Sequence, residues 1–337
     1  MKAIMLRELG GPHQLKYEEV PHPEPGSQDV IVRLHAAALN RRDVFVTYGQ
    51  YPGIQLPAIP GSDGAGVVVA VGDEVSDVEV GNEILINPSL NWGDDIQKKS
   101  PDYETLGVPT DGTFAQYVKI PAKYVYQKPE HLSWEEGAAL PLAGLTAYRA
   151  LVTKGQVQAG ENVLIPGVGG GVATLLVQFA SALGARVFVT SSKDEKIEKA
   201  KELGAVDGIN YTADDWAKQL KKQTGGIDLS LDSIGGDVFN ALISLGRIGS
   251  RIVTFGATKG PVPQLVMPRL FLKEIAVYGS TMGSPQEFRD MLDLVERHRI
   301  RPVLDKTYPL EQAVEALVRL EKGQNFGKIA LSIPLEE

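Results

Sequence analysis

A glycine-rich loop in the middle of the chain, Gly167-Val-Gly-Gly-Gly-Val-Ala173, has the residue types and spacing to bind a pyrophosphate. It follows a short apolar run and precedes a pattern over 174–183 that predicts a helix. Glycines let an anion approach the backbone closely, and the amides at a helix N-terminus attract it. The spacing reads Gly167-x-x-Gly170-x-x-Ala173 and departs from the usual dinucleotide fingerprint, so a plain strand-to-helix turn is the alternative.

The residues after the next predicted strand indicate which dinucleotide would bind. A carboxylate about 20 residues beyond the glycines usually holds the ribose hydroxyls. Here the strand over 186–190 is followed by Ser191 and Ser192, and the first carboxylate is Asp194. Hydroxyls and ammonium groups such as that of Lys196 attract a 2′-phosphate, so we expect NADP(H) rather than NAD(H). In the alternative reading, the serines cap a helix and the lysine faces solvent.

Strand-like and helix-like segments alternate after the glycine loop, which predicts a doubly wound parallel sheet. Within residues 1–141, short alternating runs are broken by glycine and by thirteen of the 21 prolines, which is typical of small twisted sheets. The predicted strands of the parallel sheet cover 163–166, 186–190, 206–210, 228–232, 251–255 and 275–279. The predicted helices cover 174–183, 194–203 and 213–223, with two more over 286–298 and 310–322.

Length and composition bound the possible functions. A chain of 337 residues favours two domains, which we place at 1–127 and 128–282, with 283–337 returning to the first. A net charge of −8 with scattered basic residues argues against nucleic-acid or membrane partners. The sequence shows neither a signal peptide nor an apolar run of membrane length, so we expect a cytoplasmic protein. The chain has no cysteine, which excludes disulfides, thiolate catalysis and sulfur-ligated zinc.

Four further segments accompany the glycine loop in a fixed order: 39–43, 59–66, 111–118 and 144–148. Together the five resemble the medium-chain dehydrogenase/reductase superfamily over essentially the whole chain, nearest its zinc-free quinone oxidoreductase branch. The resemblance implies a mainly β GroES-like catalytic domain and a Rossmann cofactor domain, with hydride transfer in the cleft between them. It also implies a homodimer or homotetramer joined near the edge strand over 275–279.

The resemblance also bears on metal binding. Zinc-dependent relatives have a cysteine where Asn40 stands, a His-Glu pair in place of Ser62 and Asp63, and a third ligand near Pro141. A second, structural zinc would be bound by cysteines in a lobe matching 87–109, which has none here. A catalytic zinc needs three such ligands, so we expect no metal. Residual metal binding through Asp63 and a neighbouring aspartate, Asp43, is the alternative.

By the same resemblance, Asn40 lies beside the nicotinamide and donates an amide proton to the substrate. Tyr51 matches a tyrosine at the mouth of the active site, and Tyr48 can replace it. Each has a structural alternative: Asn40 as a turn residue, with Asp43 capping the helix that follows, and Tyr51 as a loop aromatic. Since relatives often carry a tyrosine where Phe45 stands, the proton donor is open, and solvent can supply the proton.

Phe255 and Gly256, at the end of the fifth predicted strand, are expected to meet the nicotinamide, and Thr146, Tyr211 and Lys328 are expected to add further cofactor contacts. Several have structural alternatives: a helix interior for Thr146, a buried core position for Tyr211 and simple solvation for Lys328, which otherwise reaches the pyrophosphate. Arg41 and Arg42 are expected to face solvent or a neighbouring subunit. The full set of predicted cofactor residues is Thr146, Gly167, Gly170, Gly171, Ala173, Ser191, Ser192, Lys196, Tyr211, Phe255, Gly256 and Lys328.

These observations together predict an NADPH-dependent, zinc-independent reductase. Its substrate would be a small electrophilic carbonyl compound, a quinone or an α,β-unsaturated carbonyl. Hydrogen bonds can carry the charge that develops on oxygen in such a reaction. Two alternatives remain: a 2-enoyl thioester reductase, and an NADPH-binding protein with little turnover that serves as a sensor or scaffold.

Overall fold

The computed structural model describes residues 1–334. The strands are β1 (Lys2–Leu6), β2 (Leu15–Glu19), β3 (Asp29–Ala38), β4 (Asp63–Val71), β5 (Glu83–Ile86), β6 (Ser89–Leu90), β7 (Glu104–Thr105), β8 (Tyr117–Pro121), β9 (Val125–Gln127), β10 (Asn162–Ile165), β11 (Arg186–Ser191), β12 (Asp207–Asn210), β13 (Ile227–Asp232), β14 (Gly246–Thr254), β15 (Ala276–Gly279), β16 (Leu304–Pro309) and β17 (Lys328–Ser332).

The α-helices are α1 (Arg41–Thr47), α2 (Trp134–Ala139), α3 (Pro141–Tyr148), α4 (Gly171–Ala182), α5 (Asp194–Glu202), α6 (Trp216–Thr224), α7 (Gly236–Leu245), α8 (Met267–Phe271), α9 (Pro285–His298) and α10 (Ala313–Glu321). A π-helix, Arg149–Lys154, continues α3, and three short 3₁₀ turns cover Pro12–Gln14, Ala122–Tyr124 and Leu310–Gln312.

The chain divides into two units, and the first is discontinuous in sequence. It contains Met1–Ala143 and the residues from Gly283 onward, whereas the second contains Gly144–Met282. The boundary predicted at residue 128 therefore falls inside the first unit. The physical reason is α2, which packs on β3 and β4 and buries Ala138 and Ala139 there.

The first unit is mainly β, as predicted. Its principal sheet has the order β16-β17-β3-β4-β5-β9, with β8 also paired to β3. All its pairs are antiparallel except β16 with β17. Because β17 pairs with β3, a C-terminal strand lies beside the N-terminal strand that leads into α1. One buried apolar cluster joins residues of both ends of the chain, including Val32, Leu34, Leu317 and Ile329.

The second unit has the predicted doubly wound sheet. Its strand order is β12-β11-β10-β13-β14-β15, and every pair is parallel. The first strand, β10, is buried along its whole length, as is typical of a central parallel strand covered on both faces. The chain order reverses between β10 and β13, and in such sheets ligands bind beyond the carboxyl ends of the strands at this point.

Two element boundaries differ from prediction for local reasons. Helix α6 begins at Trp216 rather than 213, because the Asn210 side chain accepts the Thr212 N–H at 3.0 Å and holds a turn after β12. Strand β14 begins at Gly246 rather than 251, because Gly246 pairs with Ile227 ahead of a β-bulge.

The two edge strands of the parallel sheet carry glycines in contrasting surroundings, which gives a test of packing. A Cβ at Gly208 in β12 would lie 2.6 Å from Ile197 Cγ2 and 2.7 Å from Val189 Cγ2, whereas none of the described atoms lies within 4 Å of one at Gly279 in β15. We expect Gly208→Ala to destabilise the protein by about 1–3 kcal/mol through overpacking. The matched Gly279→Ala should be neutral or slightly stabilising. Urea unfolding followed by fluorescence measures both, and equal effects would contradict the packing described here.

Candidate active site

The glycine loop joins β10 to α4 and is fixed by the neighbouring strand. The Gly167 N–H donates to Thr190 Oγ1 at 3.1 Å, and the Val168 N–H donates to the Thr190 carbonyl at 2.8 Å. Gly167 has a φ of +67°, which favours glycine. Helix α4 begins at Gly171, so Gly170 and the N–H groups of the first turn form the end of the loop.

Lys196 reaches this loop from α5. Its Nζ lies 2.9 Å from where a Cβ would stand on Gly169, whose φ of +152° favours glycine. An ammonium group and the amides of a helix N-terminus are thus next to one another. This arrangement fits a phosphate-bearing cofactor, and the predicted residues Gly167, Gly170, Gly171 and Ala173 all lie in it.

The end of β11 places serines and a carboxylate close together. Ser191 is buried and its Oγ accepts the Lys193 N–H at 3.2 Å, whereas Ser192 is exposed. The Asp194 carboxylate accepts the Asn210 side-chain amide at 2.8 Å. The Tyr211 N–H donates to the Ser191 carbonyl, and the Tyr211 side chain is 40% exposed, so the buried-core alternative for it is wrong.

Three other predicted cofactor residues lie in the second unit. Phe255 and Gly256 directly follow β14, and the Phe255 N–H donates to the Asp232 carbonyl at the carboxyl end of β13. Thr146 is buried on α3, with Oγ1 4.0 Å from Met282 Sδ. The first two therefore stand at the sheet edge where ligands bind in such folds.

In the first unit, Asn40, Asp63 and Lys328 form a hydrogen-bonded cluster that we call the ammonium cluster. Asn40 Nδ2 donates to Asp63 Oδ2 at 2.8 Å, and Lys328 Nζ donates to Asn40 Oδ1 at 2.7 Å and to Asp63 Oδ2 at 2.8 Å. Their exposed fractions are 7%, 0% and 4%. Lys328 is therefore buried in an ion pair, and the expectation of a simply solvated lysine is wrong.

The backbone around Asp63 holds its carboxylate in place. Oδ1 accepts the Leu142 N–H at 2.8 Å, and the Asp63 carbonyl accepts from Thr113 Oγ1 at 2.8 Å. A residue larger than glycine does not fit at position 61, because a Cβ there would lie 2.4 Å from the Phe114 ring. The segment Gly61-Ser-Asp63 thus provides a tight turn that delivers one fixed carboxylate.

Asp43 and Arg42 lie beside this cluster, and both are buried. The Asn40 N–H donates to Asp43 Oδ2 at 2.7 Å, so Asp43 caps α1 as the structural alternative proposed, while Asn40 both begins the helix and belongs to the cluster. Arg42 does not face solvent, contrary to expectation. Its Nη1 donates to Ser62 Oγ at 2.6 Å and to the Leu106 carbonyl at 3.0 Å.

The two candidate tyrosines have different surroundings. The Tyr51 ring lies over the Arg42 guanidinium, 4.5 Å from Cζ to the ring centroid, and packs against the apolar core of the first unit. Tyr48 is 43% exposed, and a hydrogen bond with the Glu321 carboxylate raises the pKa of its phenol. Tyr51 therefore contacts Arg42, which itself binds Ser62 and lies next to Asp43. Arg41 is exposed and donates to the carbonyls at the end of α10.

This donor set does not fit a catalytic zinc. Asp63 Oδ2 and Asn40 Oδ1 each accept from the Lys328 ammonium, and Ser62 Oγ donates to the Leu106 carbonyl while it accepts from Arg42. Throughout residues 1–334, no group of three His, Asp or Glu side chains is placed to hold a metal ion. The positive charge beside the carboxylate belongs to the protein itself.

Sequence reasoning proposed Asn40 but did not join it to Asp63 and Lys328. The signal was present in Gly61-Ser-Asp63, where a buried acid needs a partner, and in Lys328, which stands in an otherwise apolar strand. The sequence did not indicate that β17 pairs with β3, and this pairing places Lys328 beside Asn40 and Asp63.

Comparisons with known proteins agree with this architecture. A model described as the alcohol dehydrogenase GroES-like domain matches residues 26–130, and one described as a zinc-binding dehydrogenase matches 171–297. A zinc-type alcohol dehydrogenase-like protein of Schizosaccharomyces pombe is 38% identical over 99% of both chains. This chain belongs to the medium-chain dehydrogenase/reductase superfamily. It is an oxidoreductase with the GroES-like and Rossmann parts that the sequence predicted.

Relatives within the superfamily differ in activity and cofactor. The crystal structure of an NAD-dependent alcohol dehydrogenase is 39% identical, with a TM-score of 0.95 over 99% of this chain and 100% of that chain. A quinone oxidoreductase of Mus musculus is 30% identical over 94% of this chain and 92% of its own. A mycobacterial protein solved with NADPH is 28% identical, with a TM-score of 0.84 over 98% of this chain and 99% of its own. The superfamily uses a nicotinamide cofactor. Among the described residues, no helix is both long and apolar enough to cross a membrane.

The ionisation of Asp43 gives a prediction of pH-dependent stability. Burial raises the pKa of this carboxyl from 3.8 to about 6, against the opposing effects of Arg42 and the Asn40 N–H. The folded protein then binds the proton more tightly than the unfolded chain. Asp43 therefore contributes stability that is fully present below pH 4 and is lost as the pH rises through 6.

We expect Asp43→Asn to remove this dependence. The difference in the free energy of unfolding between variant and wild type should change by up to about 3 kcal/mol between pH 4 and pH 7, in favour of the variant at the higher pH. Asp77→Asn, at an exposed aspartate, is the control and should show no such trend. If the free energy of unfolding, measured by urea titration, depends on pH in the same way for wild type and Asp43→Asn, the pKa of Asp43 is not raised.

Proposed function

We propose that this protein is an NADPH-dependent, zinc-independent reductase of quinones and α,β-unsaturated carbonyl compounds. The observation that carries the proposal is the ammonium cluster, in which the amide of Asn40 stands where the metal-dependent relatives have a cysteine ligand and accepts a hydrogen bond from a protein cation, Lys328. The residues that would bind the reaction's oxygen are therefore hydrogen-bond donors rather than a Lewis acid.

The chemistry of the substrate class follows from this difference. A simple ketone or alcohol concentrates charge on an oxygen bonded to the reacting carbon, where a metal is most effective. In an enone, the carbon that accepts hydride is remote from oxygen, and in both enones and quinones conjugation spreads the developing charge. Hydrogen-bond donors can stabilise such an enolate or quinol oxygen. When bound, the nicotinamide would supply the hydride, and water can supply the proton.

The residues of the first unit then have distinct roles. Asn40 donates its amide N–H to the substrate oxygen. Tyr51, held against Arg42, shapes the site and excludes water beside the amide. Tyr48 is exposed and hydrogen-bonded to Glu321, so we assign it to substrate entry rather than to proton transfer.

The preference for NADPH rests on the region after β11. Ser191, Ser192, Lys196 and Tyr211 offer hydroxyl and ammonium donors to a 2′-phosphate. The opposing feature is Asp194, but its carboxylate accepts the Asn210 amide and so has a partner within the protein. On balance the donors favour a phosphate over a ribose hydroxyl.

The decisive experiment is a screen of cofactor oxidation over naphthoquinones, cyclic enones, short enoyl thioesters and aliphatic alcohols, with NADPH and NADH in parallel. We expect the quinones or enones to give the highest kcat/KM with NADPH. Asn40→Ala should lower kcat by about 10²-fold. Faster turnover of alcohols would place the protein with the alcohol dehydrogenases, and tight NADPH binding without turnover would favour a sensor or scaffold.

The cofactor preference is tested at Lys196. Loss of one charge-assisted hydrogen bond should raise KM for NADPH about tenfold or more in Lys196→Ala, while KM for NADH changes little. Lys199→Ala is the matched control, because Lys199 is an exposed lysine on the same helix. If Lys196→Ala raised KM for both cofactors equally, Lys196 would not recognise the 2′-phosphate.

We also propose that the protein forms a homo-oligomer through β15. This strand is one edge of the parallel sheet, where Val277 and Tyr278 are each 41% exposed. An exposed apolar edge strand is a site for pairing with a second copy. We expect Val277→Lys to convert the oligomer to monomer in light scattering, whereas Val206→Lys, beside the opposite edge strand and 53% exposed, should leave it intact. A monomeric wild-type protein would contradict this.

A further inference from the structure

The ammonium cluster fixes the orientation of one amide, which the sequence alone did not indicate. An asparagine side chain has an oxygen that accepts and a nitrogen that donates, and the two are distinguished by their partners. Lys328 can only donate and the Asp63 carboxylate can only accept. Asn40 Oδ1 must therefore face Lys328, 2.7 Å away, and Nδ2 must face Asp63, 2.8 Å away.

This arrangement determines what Asn40 offers to a substrate. Nδ2 carries two hydrogens and donates one of them to Asp63. The bond to Asp63 uses one of the two N–H groups, and the second is the one that a substrate oxygen would accept. Asn40 is the most exposed member of the cluster, at 7% against 4% for Lys328 and 0% for Asp63. An ammonium group on the oxygen side of an amide also draws electron density from its nitrogen and strengthens the remaining N–H as a donor.

We propose that Lys328 is a positioning residue that acts through Asn40. It holds the amide so that its N–H, rather than its carbonyl oxygen, meets the negative charge developing on the substrate oxygen. This inference rests on the proposed function, because it assumes that Asn40 is the group touching the substrate. The pyrophosphate contact expected for Lys328 from sequence is not required by this role.

Removal of Lys328 alone is a poor test. It would leave the fully buried Asp63 carboxylate without its cation, which is strongly destabilising and can unfold the protein. The double variant Lys328→Met with Asp63→Asn removes one positive and one negative charge together. The new side-chain amide at position 63 can still accept the Leu142 N–H through its oxygen, but its nitrogen would then face Asn40. The amide of Asn40 should turn over to accept from that nitrogen and present its carbonyl oxygen to the substrate.

The prediction is a selective loss of turnover. In the double variant, kcat for the best quinone or enone should fall about 10²-fold, with KM changed less than about threefold. Addition of Asn40→Ala to this background should lower kcat less than about threefold further, because the two changes disable the same donor. An unchanged kcat in the double variant, or an equal Asn40→Ala effect in both backgrounds, would overturn the proposal.

The matched control is Lys128→Met with Glu83→Gln, a second pair with a buried lysine in the same unit, with Nζ and Oε2 3.3 Å apart. It should leave kcat within about twofold of wild type. A large loss of kcat in this control variant would show that removal of any ion pair with a buried lysine lowers turnover. Thermal unfolding of all variants establishes that they are folded at the assay temperature.

A second readout needs no turnover and separates this proposal from the proposed function. The side-chain ¹⁵N–¹H₂ resonances of Asn40 can be assigned by their loss in Asn40→Ala. In wild type they should be shifted downfield and protected from exchange, and in the double variant the downfield shift should disappear. If the chemical shifts of these resonances are the same in the double variant as in wild type, the role proposed for Lys328 is wrong. If they move but the wild-type protein reduces no quinone or enone, the proposed function alone fails.

Discussion

A buried ammonium group paired with a buried carboxylate is the constraint on which the first unit depends. Neither Lys328 nor Asp63 can be buried without the other, because a buried charge without a partner is strongly destabilising. Their pairing requires that β17 lie beside β3 and that the turn at Gly61 present its carboxylate inward. The sheet order, the glycine turn and the start of α1 are therefore requirements of one ion pair.

This constraint also explains the arrangement around it. Asn40 completes the hydrogen bonds of the pair, and Asp43 caps the helix that Asn40 begins. Arg42 supplies a second buried cation and a platform for Tyr51. Two acidic and two basic side chains thus lie close together with a balanced formal charge, and the neutral amide of Asn40 binds Asp63 and Lys328. In such a site, small substitutions change both stability and the direction in which donors point.

The parts of this structure that could be predicted from sequence are those governed by local pattern. The glycine loop, the alternating segments and the strand run at 163–166 indicate a doubly wound sheet, because period and turn chemistry are local properties. The motif order indicates the superfamily. Arg42 shows the limit: beside Arg41 in a polar helix start, nothing local distinguishes the buried arginine from the exposed one. Likewise, the local sequence predicts a surface position for Lys328. Only the pairing of β17 with β3 places it next to Asn40 and Asp63.

The discontinuity of the first unit has a consequence for the order in which the protein can be made. Asn40 and Lys328 are 288 positions apart in the chain. During synthesis on the ribosome, Asp63 cannot pair with Lys328 until β17 has been made. By then the whole second unit, Gly144–Met282, has already been synthesised. A chain cut short before residue 328 would contain the complete glycine loop but an Asp63 without its partner. Such a fragment would be poorly folded in its first unit, so the site can form only after Lys328 and the strand that carries it have been synthesised.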